Sequence, residues 1–143
     1  MIPRKSLDTL LRLRRLQLDD SRREMARRLR AEDAAARELS TASGAVAREL
    51  AGLQDAHQDV LVSGTLFWWS ERCHELVEQA RQAHLRASAD IAPQRAEVTA
   101  AKGAAEAIEM MVERALEVAM RERERRAEAE VDDAAQRNAI KKR

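Results

Sequence analysis

The stretch VLVSGTLFWW, residues 60–69, decides how the rest of the chain is read. It joins the strongest turn signal, Ser63-Gly64, to every aromatic side chain present, Phe67, Trp68 and Trp69. Glycine reaches left-handed dihedrals without steric cost, and Ser or Thr caps a helix that follows. The spacing predicts a turn at 62–65 between two long helices. The chain reads as all-α: a long antiparallel two-helix coiled-coil hairpin folded near Ser63-Gly64, a single unit over 1–143.

Working back from the turn, helix 1 is expected over about 6–61, with Ser6 near its start and Asp8 favourable at the positive end of the dipole. Steps of seven from Leu11 give Leu18, Met25, Glu32, Leu39, Val46, Leu53 and Val60. That strict repeat keeps one stripe facing a partner as helices supercoil. The companion positions, taken four residues on, are Arg15, Arg22, Leu29, Ala36, Ser43, Leu50 and His57, a mixed row. Residues 40–44, STASG, form the weakest helical stretch, because Gly44 costs about 1 kcal/mol relative to Ala.

Working forward, helix 2 is expected over about 66–137, with a frayed tail at 138–143. Steps of seven from Val77 give His84, Ile91, Val98, Ala105, Val112 and Ala119. The positions three further on are Ala80, Ala87, Gln94, Ala101, Ile108 and Ala115. Both rows of a seam are present, mostly with small residues. A fold at Gly64 makes facing residue numbers sum to about 127. That sets 40–44 opposite Ala83 to Ala87, where short side chains would let backbones approach, and Leu7 opposite Met120. Beyond about 121, helix 2 overhangs, and RERERRAEAE at 121–130 supports itself through opposite charges at helical spacing. Pro93 predicts a kink, or a restart in a new direction that would give a three-helix bundle.

Composition agrees with helices rather than a broad core. Charged residues are 36%, aromatics 2%, and much of the 45% hydrophobic content is alanine, a good helix former and a poor filler of space. The net charge of +1 conceals a pattern: ten basic and four acidic residues over 1–31, seven and fourteen over 32–113, nine and seven over 114–143. The lone Cys73 excludes an internal disulfide and points to a reducing, cytoplasmic setting. The longest nearly apolar run is about half what a bilayer span needs, so no direct membrane insertion is expected.

Chemistry-bearing motifs are few. No glycine-rich phosphate loop occurs, and Cys73 and His74 diverge by about 100° on a helix, so they cannot chelate one metal together. Cys73 or Ser70 as a nucleophile would need a pocket and an oriented base. No enzymatic activity, cofactor or metal is expected. His84 reads as a packed seam residue or a functional one. Phe67, Trp68 and Trp69, being adjacent, point in three directions, and either seal the hairpin tip or leave an anchor for a partner.

In layout the chain resembles the FliJ/YscO family of flagellar and type III secretion export proteins. The resemblance is carried by the opening LDTLLRLRRLQLDDSRREMARRL, the aromatic start of helix 2, and the close ERERRAEAEVDDAAQR with its acidic-then-small segment Glu130 to Ala135. It implies a non-enzymatic stalk and adaptor whose paired helix ends enter the ring of the hexameric export ATPase. It also implies contact with the cytoplasmic domain of the export gate membrane protein and with export chaperones, at the cytoplasmic side of the inner-membrane export apparatus. Basic Arg12, Arg14, Arg15, Arg22, Arg23, Arg121 and Arg123 are the residues such a ring would meet. For gate binding, Val77, Ala80 and His84 match the last three positions of the family's spacing, and Cys73 stands where its aromatic would be. The alternatives are a nucleic-acid-binding helical arm, which would need arginines tracking phosphates, and a structural coiled coil that self-associates through its half-filled seam. No nucleic-acid partner is expected.

Overall fold

The structure, a computed structural model, describes the backbone of residues 2–55 and 63–143 and the side chains of 2–52 and 67–143. Among these residues all regular structure is helical: α1 (Arg4–Asp55), α2 (Ser63–Ala89) and α3 (Ile91–Lys141). The fold class is the expected one, all-α, with one long helix answered by a bent one. Its boundaries differ at three places. α1 starts at Arg4, because the Pro3 carbonyl accepts from the amides of Ser6 (3.0 Å) and Leu7 (3.2 Å), so Pro3 caps the helix and Ser6 lies inside it. Ser63 and Gly64, expected in the turn, belong to the first turn of α2, while residue 62 lies outside the described residues. Helix 1's expected end at 61 lies outside them too. The C-terminal helix runs to Lys141 instead of fraying from 138.

Three residues before Pro93, the single residue Asp90 interrupts the second, bent helix. Proline has no amide to continue the ladder and disfavours helical angles before it. The Asp90 amide still donates to the Arg86 carbonyl at 3.3 Å. Ile91 and Val98 keep the seven-residue phase of Val77 and His84, and Gln94 that of Ala80 and Ala87, all of them turned from solvent. The three-helix alternative is thereby set aside.

The chain divides into two compact units, residues 19–99 and residues 1–18 with 100–143. In the first, α1 runs antiparallel to α2 and the start of α3. Glu32 meets Ser88, Arg28 meets the Asp90 carbonyl, and Ser21 meets Gln94, so numbers fall on one side as they rise on the other. In the second, Leu7 and Leu18 of α1 and Ala105 of α3 are buried, and Arg15 bonds to Glu109.

Facing numbers add to 115 at Ser21 and Gln94, 120 at Glu32 and Ser88, and 124 at Arg15 and Glu109. All fall below the expected 127, because residues 63–65 belong to α2 and not to a loop. Two expectations built on 127 fail with it. Met120 is 59% exposed and does not cover Leu7, and α3 leaves the seam after Leu116, with 117–143 exposed throughout. Nor do backbones approach at Gly44: a Cβ there would meet nothing within 4 Å, and Ala83 is exposed.

The seam rows of α2 and α3 are the expected ones, every member from Val77 to Ala115 being buried or half-buried; Ala119 is exposed. On α1 the row Leu11, Leu18, Met25, Glu32, Leu39, Val46 also faces inward. Its companion row lies three residues on, not four: Leu7, Arg14, Ser21, Arg28, Ala35 and Ala42 are turned from solvent, while Arg15, Arg22, Leu29, Ser43 and Leu50 are exposed. Three of those six inward residues are polar. The seam of α1 is therefore apolar along one row and partly polar along the other.

Candidate functional site

The polar row of α1 meets polar partners. Gln94, 2% exposed, donates through Nε2 to the Ser21 carbonyl at 3.1 Å and to Ser21 Oγ at 3.4 Å. A buried amide without partners would cost about 1–3 kcal/mol, so the pairing is what makes Gln94 tolerable there. One turn away, Arg28 donates to the Asp90 carbonyl at 3.4 Å, beside the interruption, and through Nε to Glu24 at 3.1 Å. Further along, Ser88 Oγ donates to Glu32 at 3.4 Å, and His84 Nε2 lies 3.7 Å from the same carboxylate. Among the described residues, no buried side-chain nitrogen or oxygen lacks a partner.

Two carboxylates are held below the usual range. For Glu24 the main cause is the hydrogen bond from Arg28; loss of solvent opposes it, and the charges of Arg27 and Arg28 add to it. For Glu78 the hydrogen bond from Gln82 leads, again opposed by loss of solvent and helped by Arg81 and His74. Both clusters consist of neighbours three or four residues apart on one helix, the spacing at which helical side chains meet.

Val77, Ala80 and His84, expected as the gate-binding residues, all lie half-buried on the α2 row that faces α1. They share a face, but it is the face used by the intramolecular pairing. The arginines expected to meet an ATPase are split between the units. Arg22 and Arg23, exposed, pair with Asp19 (3.9 Å) and Asp20 (3.5 Å) in one. Arg12, Arg14, Arg15, Arg121 and Arg123 lie in the other. There Arg14 is half-buried and bonds Gln17 at 3.2 Å, Arg15 bonds Glu109 at 2.8 Å, and Arg12, Arg121 and Arg123 are exposed with no ion pair among the described residues. Phe67 and Trp68 are each 67% exposed, and Trp69 is half-buried.

No family model, curated protein or solved structure matches this chain.

The site must therefore be argued from its own chemistry. Among the described residues no three His, Cys, Asp or Glu side chains gather as a metal would need, and no helix is long and apolar enough to cross a membrane. Depressions of the surface lie along single helices, such as one of about 420 Å³ lined by His74, Glu78, Gln82 and Arg86 on α2. Among the described residues the arrangement offers helix faces and helix ends. Gln94, Ser21 and Arg28 are functional-looking residues that motif reading passes over. Their signal is positional: polar residues at a and d places of a heptad.

Proposed function

We propose that this protein is a non-enzymatic stalk and adaptor of a flagellar or type III secretion export apparatus, as the resemblance to the FliJ/YscO family implies. Its helix ends enter the ring of the hexameric export ATPase. Its flank engages the cytoplasmic domain of the export gate, and it exchanges with export chaperones at the cytoplasmic face of the inner membrane. The observation that carries this reading is the last part of α3: 117–143 is helical to Lys141 and exposed throughout, a rod of alternating charge with Arg126 paired to Glu122 at 2.9 Å. A helix that is polar all round and stabilised by such pairs serves to reach a partner rather than to build a core. The unit that includes it holds fifteen basic and eleven acidic residues, against eleven and fourteen in the other, so it is the unit better suited to an acidic partner. Val77, Ala80 and His84 are reached by a gate partner only at the edge of the seam, which makes the gate contact the weaker of the two.

The test is co-purification with the secretion ATPase of the same organism at low ionic strength, with ATP hydrolysis followed in parallel. Binding that falls with added salt, together with faster hydrolysis, is the expected outcome. An ATPase neither retained nor stimulated would remove the stalk reading. A tRNA or duplex DNA titration run beside it should show no more than weak, steeply salt-dependent binding.

A further inference from the structure

In the unit of residues 19–99, the side-chain contacts that join α1 to the returning helix gather at one end. Gln94 donates to the Ser21 carbonyl and hydroxyl, Arg28 to the Asp90 carbonyl, and Ser88 to Glu32, with His84 3.7 Å from that same carboxylate. Gln94, the one fully buried side chain among the described residues of this unit, lies there too. Toward the end of α1 the pairing thins. Among the described residues, Glu32 makes the last such contact on α1. Beyond it the inward positions Ala35, Leu39, Ala42 and Val46 on α1, like Val77 and Ala80 on α2, are only half-buried, and residues 47–52 are exposed throughout. The same stretch of α1 holds Ser40, Thr41, Ser43, Gly44 and Gly52, all poorer helix formers than alanine, glycine most of all.

We infer that residues 35–52 of α1 and 69–83 of α2 come apart together, as one local opening, while 21–32 and 84–99 stay paired. Proteins open in contiguous units, and the weakest of them are those with few buried apolar contacts and low local packing. The polar row sets the boundary. An opening that reached Glu32 would break its bond from Ser88, and one that reached Gln94 would strip a buried amide of its acceptors. Once apart, neither stretch keeps its helix for long, because most helical stability in proteins comes from packing an amphipathic face. Opening uncovers Val77 and Ala80, whose row α1 covers in the closed pair. The thin end of the unit is thus a conformational device, an apolar face offered only in the open state. The inference does not rest on the export reading.

Native-state hydrogen exchange of the full chain, read by mass spectrometry on proteolytic peptides, tests it. Amides of 35–52 and 69–83 should share one level of protection, at least about tenfold below that of 21–32 and 88–99. Two variants separate this opening from unfolding of the unit as a whole. Gly44→Ala, where an added Cβ meets nothing within 4 Å, should slow exchange about fivefold, and equally in 35–52 and in 69–83. Met25→Ala, a half-buried position in the part that stays closed, should speed exchange of 21–32 and 88–99 by at least about threefold and leave 35–52 and 69–83 unmoved. Equal protection at both ends, a Gly44→Ala effect confined to α1, or a Met25→Ala effect as large in 35–52 as in 21–32 overturns the proposal.

Discussion

Replacing Gly44 with Ala should stabilise the protein by about 1 kcal/mol, the difference between Gly and Ala in a helix interior. Gly44 lies well inside α1, and a Cβ built there would meet nothing within 4 Å, so no clash offsets the gain and no new burial enlarges it. Part of the effect acts through the unfolded chain, which loses freedom when glycine goes; that part is already inside the figure and is not added again. Gly103 in α3 is equally open and lies in the other compact unit. The double substitution should therefore add, to roughly 2 kcal/mol, because sites without shared partners combine nearly independently. Urea unfolding followed by far-ultraviolet circular dichroism measures this, with an unchanged slope as the check that only stability moved. If the two units melt separately, each substitution shifts only its own transition. A loss of stability in Gly44→Ala would refute the reasoning, since it would mean that another backbone presses on Gly44, the close approach that the sequence alone suggests.

Glu24 should titrate below the ordinary carboxylate value of 4.5. Its folded-state value is depressed, so its contribution to stability is fully present above the unfolded value and is lost as pH falls through the folded one. Side-chain carboxyl shifts in an NMR titration report the value directly, and Arg28→Ala should move it back up. Leu18→Ala removes one of the few buried large side chains and should cost about 2–4 kcal/mol, whereas Leu16→Ala, at a position 62% exposed, should change stability by no more than about 0.5 kcal/mol in thermal or urea unfolding. Ending the chain after Leu116 should lower the total helical signal yet leave the unfolding midpoint of the remainder nearly unmoved, because residues 117–143 cover nothing.

The helices and one face of each were legible because a heptad repeat is local arithmetic: Leu11, Leu18, Met25 and Leu39 announce a stripe, and Val77 to Ala115 announce its answer. The second row of α1 was not legible in the same way. Arg14, Ser21 and Arg28 look like surface residues, and the mixed row one step further on competes with them until burial decides. Register was misjudged for a related reason. A Ser-Gly pair is equally good chemistry for a loop and for the first turn of a helix, and a shift of that boundary by a few residues moves every facing pair. Val77, Ala80 and His84 stand in the seam rows read from the sequence, and α1 occupies that face, so the seam reading and the gate-binding reading compete for the same side chains.

The polar row has a consequence for how such a helix pair keeps its alignment. Sliding α1 by one heptad along α2 and α3 would set apolar residues against apolar residues again, since alanine, valine and leucine recur every seven places. Packing alone thus discriminates weakly between neighbouring registers. Polar partners discriminate strongly. Only in the observed register does the buried Gln94 amide reach Ser21, and only there does Arg28 reach the carbonyl beside the interruption that Pro93 creates. A slide takes the Ser21 hydroxyl from the amide and the Asp90 carbonyl from the half-buried guanidinium, each a loss of about 1 kcal/mol or more. Single polar residues at seam positions are known to fix register at some cost in stability. The same lock sets how far α3 extends past its last seam residue, Leu116. If α3's free end is the part that reaches a partner, its length is determined by two hydrogen-bonded side chains many turns away, and Gln94→Leu would be expected to stabilise the helix pair while blurring that length.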